Sequence, residues 1–314
     1  MKLNIRSFND RLCLACLVTF LNLSACHGLH FRNSSAESEL RESSCTAVVM
    51  TSFLTTKNDW QRPGAQRAPT FSLIQKFHES IMATPGVEAV VLYDVLPPQV
   101  IERSSHPGKF TFHQVSLASY DSSLGVNDVR FFLFRDELQA HPEYRVVFTS
   151  DMFDVEVLQN PCQLVQQNPS AVCVGSEVDN GLGCTWMRNR FREMGGKYLD
   201  WYNHATRSGN PLLYSAGLLG GTREEMKKFL DLMTEVMEDP SLQARKAGMQ
   251  VNVDMGAFNW VIYNQIPASQ IVTGHPFHSQ FKAYHAAPGD YFKHKLLLPA
   301  TGTDGANATL HSRA

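Results

Sequence analysis

Two rhythms of apolar residues alternate along the chain. Short apolar runs at 46–52, 88–93, 110–115, 145–149, 171–175 and 212–219 read as strands. Helical spacing takes over between and after them. Leu73, Ile74, Phe77 and Ile81 share one helical face, with Thr70 ahead of them as an N-cap and Pro85-Gly86 as the stop. Phe131, Phe134 and Leu138 repeat the pattern from about Asn127 until Pro142 ends it. After Gly220-Gly221, Thr222 and Glu225 make a capping box for a helix with a single apolar stripe of Met226, Phe229, Leu230, Met233 and Met237. A last helix near Asp254 buries Phe258, Val261 and Ile262. Strands alternating with helices in this way predict an α/β fold, a single Rossmann-like domain with a mainly parallel sheet flanked by helices.

The two ends depart from this rhythm. Lys2, Arg6 and Arg11 precede an apolar run over 12–23 that closes on Ser24 and Ala25. The run is shorter than the roughly 20 residues of a membrane span, so 1–26 reads as a signal peptide in preference to a short signal anchor. Either places the remainder in an extracytoplasmic lumen, and an anchor would be the chain's one link to a membrane. A third reading takes Leu23-Ser24-Ala25-Cys26 as a bacterial lipoprotein cleavage box. A polar stalk at 27–44, a domain at 45–298 and a Gly/Thr/Ala-rich tail at 299–314 complete the expected layout. Asn33 and Asn307 open glycosylation sequons, whereas Asn168 is followed by Pro169 and does not. Of seven cysteines, Cys45, Cys162, Cys173 and Cys184 fall in the domain without metal-finger spacing. An oxidising lumen permits a disulfide among the last three, and buried thiols are the alternative.

Composition narrows the functions. With 43% hydrophobic and 18% charged residues the 314-residue chain can bury a substantial core. Its formal charge of −2 and scattered basic residues offer no field for a phosphate backbone, which argues against a nucleic-acid partner. Ser-hydrolase, P-loop and zinc-protease spacings are absent from the sequence.

The chemistry concentrates where the apolar run Arg145-Val146-Val147-Phe148-Thr149 leads into Asp151 and Asp154. Open α/β sheets bind ligands at the carboxyl ends of their strands, so acids at that place face a site. Two close carboxylates repel, and a hard cation such as Mn²⁺ or Mg²⁺ relieves the repulsion while leaving positions for phosphate oxygens. Alternatively, Asp151 caps the following turn and Asp154 is solvated.

With this strand and its acids, the ordered segments between Cys45 and Lys295 resemble the metal-dependent nucleotide-sugar glycosyltransferases of the GT-A fold, the glycogenin-like group of nucleotide-diphospho-sugar transferases. The resemblance implies a GT-A-type domain using Mn²⁺ or Mg²⁺ and a nucleoside-diphosphate sugar, UDP-linked by expectation, to glycosylate a glycan, protein or lipid acceptor in the Golgi lumen or outside the cell. By it Asp151 is the acid nearer the nucleotide and Asp154 a metal ligand, although two residues separate them where the family has one. Asn127 and Arg130 match the helix start that approaches the nucleotide. Thr51-Ser52-Phe53, at the end of the first strand, matches the base and ribose edge, with Asp94 as a further contact. Gly217, within Tyr214-Ser215-Ala216-Gly217, matches the small-residue segment beside the donor sugar. Asp254 matches the acid near the acceptor, with Glu177 as its rival for a catalytic role. Thr273 to Lys282 is similar to the segment that returns to the metal, which assigns His278, or His275 in its place, as a ligand and Lys282 to the diphosphate.

Two other functions compete. A sugar-phosphate nucleotidyltransferase shares the fold, but its Gly-rich phosphate loop is missing after the first strand, where Thr55-Thr56-Lys57 stands. The other is an inactive secreted relative that binds nucleotide or glycan without turnover.

Overall fold

A computed structural model describes residues 45–60, 69–242 and 252–295. The leader, stalk and tail, both sequons, and Cys13, Cys16 and Cys26 lie outside the described residues. In chain order the elements are β1 (Ala47–Phe53), α1 (Phe71–Ala83), β2 (Val87–Tyr93), α2 (Pro98–Ser104), β3 (Phe110–Gln114), α3 (Val126–Ala140), β4 (Val146–Ser150) and β5 (Val155–Val157). There follow α4 (Cys162–Gln167), β6 (Val172–Gly181), α5 (Thr185–Met194), α6 (Gly196–Arg207), β7 (Leu212–Thr222), α7 (Arg223–Glu238), α8 (Asp254–Gln265), β8 (Ile271–Val272), β9 (His278–Ser279) and β10 (Phe292–His294).

Seven strands form the main sheet in the order β3-β2-β1-β4-β7-β6-β8. All run parallel except β7, which is antiparallel to both neighbours. This is the expected α/β class. The chain order turns back between β1 and β4, whose carboxyl ends therefore open a crevice instead of being bridged by a connection.

Alternation along each strand divides the core between the two faces of the sheet. Val48, Met50 and Val147 pack on one side with Phe131, Phe134, Met226, Phe229 and Phe258 from α3, α7 and α8. Ala47, Val49, Val146 and Phe148 face the other side, with Ile74, Phe77 and Ile81 of α1. The Met stripe of α7 is core, and the Thr222 hydroxyl accepts the Glu225 N–H at 3.4 Å, which is one half of a capping box, while the Glu225 carboxylate turns to Lys228 at 2.7 Å. At α1 the Thr70 hydroxyl instead meets Ser72, and its side chain makes no cap bond.

A second, three-stranded sheet, β5-β10-β9, was not foreseen from its two- and three-residue strands. It is fastened to the main sheet by aromatic packing: Phe148 lies 6.1 Å from the Phe277 ring and 5.0 Å from the Phe292 ring. All three rings are buried. Truncation of such a side chain typically costs about 3–5 kcal/mol.

The disulfide joins Cys45 to Cys162, correcting the expected bridge among Cys162, Cys173 and Cys184; the latter two are free thiols. Cys173 is buried among apolar groups, which pushes its thiol up to about 12. Among the described residues no helix is long and apolar enough to cross a membrane.

Candidate functional site

The last residue of β4 is Ser150, so Asp151 emerges at the crevice where the strand order turns back. Its N–H donates to Gly217 O at 2.8 Å, pinning the exit of β4 against β7. A turn then leads to Asp154 and into β5. Antiparallel pairing sets Val155 of β5 opposite His294 of β10, and the Lys295 N–H donates to Asp154 O at 2.6 Å. The second sheet thereby delivers a histidine from far along the chain to the two aspartates. Ligand atoms of Asp151, Asp154 and His294 all lie within 4.8 Å of one another.

His294 is fully buried, yet neither ring nitrogen has a hydrogen-bond partner. Burial pushes its imidazole down to about 4, with Asp151 opposing, so the ring is neutral at pH 7 and offers a lone pair. Two carboxylates and one neutral imidazole suit a divalent cation that keeps open positions for oxygen ligands. Two orphaned ring nitrogens are the mark a missing ligand would leave, since each unsatisfied buried polar group costs roughly 1–3 kcal/mol. Gly217 makes room for the cluster: a Cβ there would stand 2.5 Å from Asp151 Oδ2 and 2.8 Å from His294 Nε2.

Behind the cluster, α3 carries two charged residues that order the site. Arg130 pairs through Nη1 with Asp151 Oδ1 and through Nη2, at 3.6 Å, with Asp254 Oδ2. Asp128, fully buried, accepts the N–H groups of Val253 and Asp254 on one carboxylate oxygen, each at 2.9 Å. It caps α8 from another helix, because Val253 at the N-cap has no side chain able to do so. Asp254 is thus freed from the capping role that its position also allowed. Burial pushes its carboxyl above the usual carboxylate range, with the Arg130 guanidinium pulling the other way.

The remaining expected site residues are distributed unevenly. Phe53 is buried edge-on against Phe153, 5.3 Å between ring centres, and Phe153 is exposed at the same mouth. Ser52 and Asn127 are half-buried near the strand and helix ends assigned to them. The Thr51 hydroxyl turns inward and donates to Ser150 O at 2.8 Å, so it ties β1 to β4 and does not face the crevice. Asp94 is likewise occupied: its carboxylate accepts N–H and O–H groups from Thr55 and Thr56. Burial would raise this carboxyl, but the bonds from Thr56, Thr55 and Val95 hold it below the ordinary range. Its work is to shape the loop after β1.

Neither histidine assigned to the metal joins the aspartate cluster. His278 is buried, and its Nε2 accepts the Ser176 N–H at 2.8 Å, so the lone pair a metal would need is already used. Burial, followed by the field of His294, pushes it down to about 4. His275 is exposed and pairs through Nδ1 with Asp290 at 2.9 Å. Lys282 stands 3.5 Å from Glu177, setting the rival acid in an ion pair. The ammonium groups of Lys282 and Lys295 both lie 5.3 Å from the Phe281 ring centre, and that ring is 4.6 Å from His294. Lys282 and Lys295 thus flank the same ring, and Lys295, 3.9 Å from Asp154, is a cation that the sequence reading missed. The one available signal for His294 was the alternation Phe292-Lys293-His294, buried, half-buried, buried. Comparison with protein-family models and with curated proteins returns no match to this chain.

Proposed function

We propose that this chain is a glycosyltransferase that moves a hexose from a nucleoside-diphosphate sugar, by expectation a UDP-sugar, to an acceptor hydroxyl in the secretory pathway. One observation carries the reading: a fully buried histidine with two unpartnered nitrogens stands beside a pair of aspartates at the crevice of an open α/β sheet. Asp151, Asp154 and His294 would hold a divalent cation, Mn²⁺ fitting the mixed oxygen and nitrogen donors better than Mg²⁺. When bound, such an ion supplies positive charge to the diphosphate of the donor.

The chain's own residues supply the rest. Lys295 and Lys282 add positive charge on the flank formed by Phe281, where it favours an anionic leaving group. Arg130 pairs with both Asp151 and Asp254 and offsets their mutual repulsion. In the reaction the acceptor oxygen bonds to the anomeric carbon, the bond from that carbon to the diphosphate oxygen breaks, and the hydroxyl proton leaves. Asp254, with its carboxyl raised by burial, is matched to accept that proton in an inverting reaction or to steady the sugar in a retaining one. The exposed face of Phe153 offers the base a stacking surface at the mouth. The leader and the Cys45–Cys162 bridge fit an oxidising compartment.

Calorimetric titration with UDP, with Mn²⁺ and then with chelator, followed by a screen of nucleotide-sugars for metal-dependent hydrolysis, tests this. Binding that requires Mn²⁺, turnover of one donor, and losses of about 10²–10³-fold in Asp154→Ala and His294→Ala are expected. Metal-dependent binding with no hydrolysis of any donor identifies an inactive relative. Metal-independent turnover, or full activity in His294→Ala, refutes the proposal.

A further inference from the structure

A second cluster of metal-binding groups lies away from the crevice, where the carboxyl-terminal end of α3 meets the edge strand β3. His113 of β3, Glu137 of α3 and His141, the residue that caps the carboxyl end of α3, bring ligand atoms within 4.8 Å of one another. Glu137 and His141 are four residues apart and so project from one face of the helix. Glu137 Oε1 is 2.9 Å from His113 Nδ1 and 3.4 Å from His141 Nε2. Ligands held tetrahedrally at the usual zinc distances of about 2.0–2.2 Å are roughly 3.3–3.6 Å apart, so opening the His113 contact by about half an ångström would seat an ion.

The hydrogen bond that fixes the outer edge of His141 is the second observation. Its Nδ1 lies 2.7 Å from Glu143 Oε1, and an ionised carboxylate only accepts, so Nδ1 carries the proton. The Nε2 of His141 faces the same Glu137 oxygen to which the Tyr144 hydroxyl donates at 3.2 Å and which His113 Nδ1 approaches at 2.9 Å. Glu137 Oε1 thus gathers both imidazoles on one oxygen, a convergence that a bound cation can use. A histidine that donates one nitrogen to a carboxylate and turns the other inward is the usual arrangement around protein-bound zinc. The rings are also set in place, His141 stacking on Tyr144 at 4.9 Å and on His113 at 5.5 Å.

We propose that His113, Glu137 and His141 form a zinc site, with Glu143 orienting His141 and water in the fourth position, that clamps α3 to the sheet edge. This inference is independent of the glycosyltransferase reading. The clamp acts on the helix whose other end carries Asp128 and Arg130, so its role is structural.

The test uses the full-length chain carrying His294→Ala, which disables the crevice cluster, and Zn²⁺ alone as the probe. Equilibrium dialysis with metal analysis should find one zinc per chain. At free zinc about 100 times Kd the Tm should rise by about 5–10 °C. Adding His113→Ala or His141→Ala should abolish both effects, and Glu143→Gln should weaken binding by about 10–100-fold. His113 and His141 are about a third exposed at the side chain, so these variants should fold, as circular dichroism without zinc would check. No zinc bound in the His294→Ala chain means that His141 is simply hydrogen-bonded between two glutamates, and overturns the proposal. Unchanged affinity in folded His113→Ala and His141→Ala overturns it as well.

Discussion

Replacing Arg130 by Met should destabilise the protein by about 3–5 kcal/mol, and the deficit should depend on pH in a direction that the structure dictates. The Arg130 and Asp254 side chains are 11% and 4% exposed, so their interaction is poorly screened. At 3.6 Å and an effective dielectric constant of about 20, their attraction is on the order of 4–5 kcal/mol. Methionine keeps much of the volume and removes the charge, leaving the Asp254 carboxylate buried without its ion-pair partner and with only the Met255 N–H and the more distant Arg190 in its favour, a situation for which losses of about 3–5 kcal/mol are typical. Asp151 loses the same partner but is one-third exposed, so water replaces most of that contribution. The Asp254 carboxyl already lies above its ordinary value because of burial, and without Arg130 it rises further. A carboxyl raised in the folded state favours folding at low pH, and that advantage is lost as pH rises through its folded value. Urea unfolding of wild type and Arg130→Met at pH 5 and pH 8 should therefore show the larger difference at pH 8. The double variant Arg130→Met/Asp254→Asn should recover much of the loss. A deficit below about 1 kcal/mol, or one that is the same at both pH values, would refute the reasoning.

Other expectations follow from single contacts. Asn259 donates to Tyr214 O and accepts from Tyr214 N inside the core, so Asn259→Leu strands both backbone groups; a loss of about 2–4 kcal/mol is expected in urea melts, and a loss below 1 kcal/mol would contradict it. Gly217→Ala drives a methyl into Asp151 and His294, and should reduce stability by about 1–3 kcal/mol while weakening Mn²⁺-dependent UDP binding at least about 10-fold; wild-type titration curves would show that the cluster has no need of the space. His278 is held neutral down to about 4, whereas in the unfolded chain it takes up its proton near 6.5. Its contribution is therefore present above pH 6.5 and falls by about 1.4 kcal/mol per pH unit toward pH 4. His278→Asn, measured in chelator, should unfold with a shallower acid slope by that amount, and an unchanged slope would place the titrating group elsewhere.

Periodicity made much of this architecture legible in advance. The helix from Val126 to Ala140, the Met stripe of α7 and six of the main-sheet strands show in the sequence because a helix or strand with one buried face must repeat its apolar residues at 3.6 or 2 positions. Asp151 and Asp154 were legible for a related reason: acids directly after an apolar run stand out, and strand ends are where open sheets bind. What local pattern cannot carry is the pairing of distant segments. The metal ligand on the return segment was assigned to His278, but the β5–β10 ladder and the Phe148, Phe277 and Phe292 packing bring His294 to the aspartates. The Ser176 N–H meanwhile occupies His278. Asp128 looked like any acid in a helical first turn, and only the approach of α8 makes it a cap for Val253 and Asp254. The Cys45–Cys162 bridge depends in the same way on two chain regions 117 residues apart meeting. The apolar pattern alone sufficed to show which faces are buried and that β4 runs out at Asp151, since burial repeats at a local period, whereas β6 and β7 extend to Gly181 and Thr222, past their apolar runs; which side chains meet at the crevice depends on tertiary packing, because hydrogen bonds, ion pairs and metal ligation need separations of a few ångströms that no one-dimensional pattern specifies.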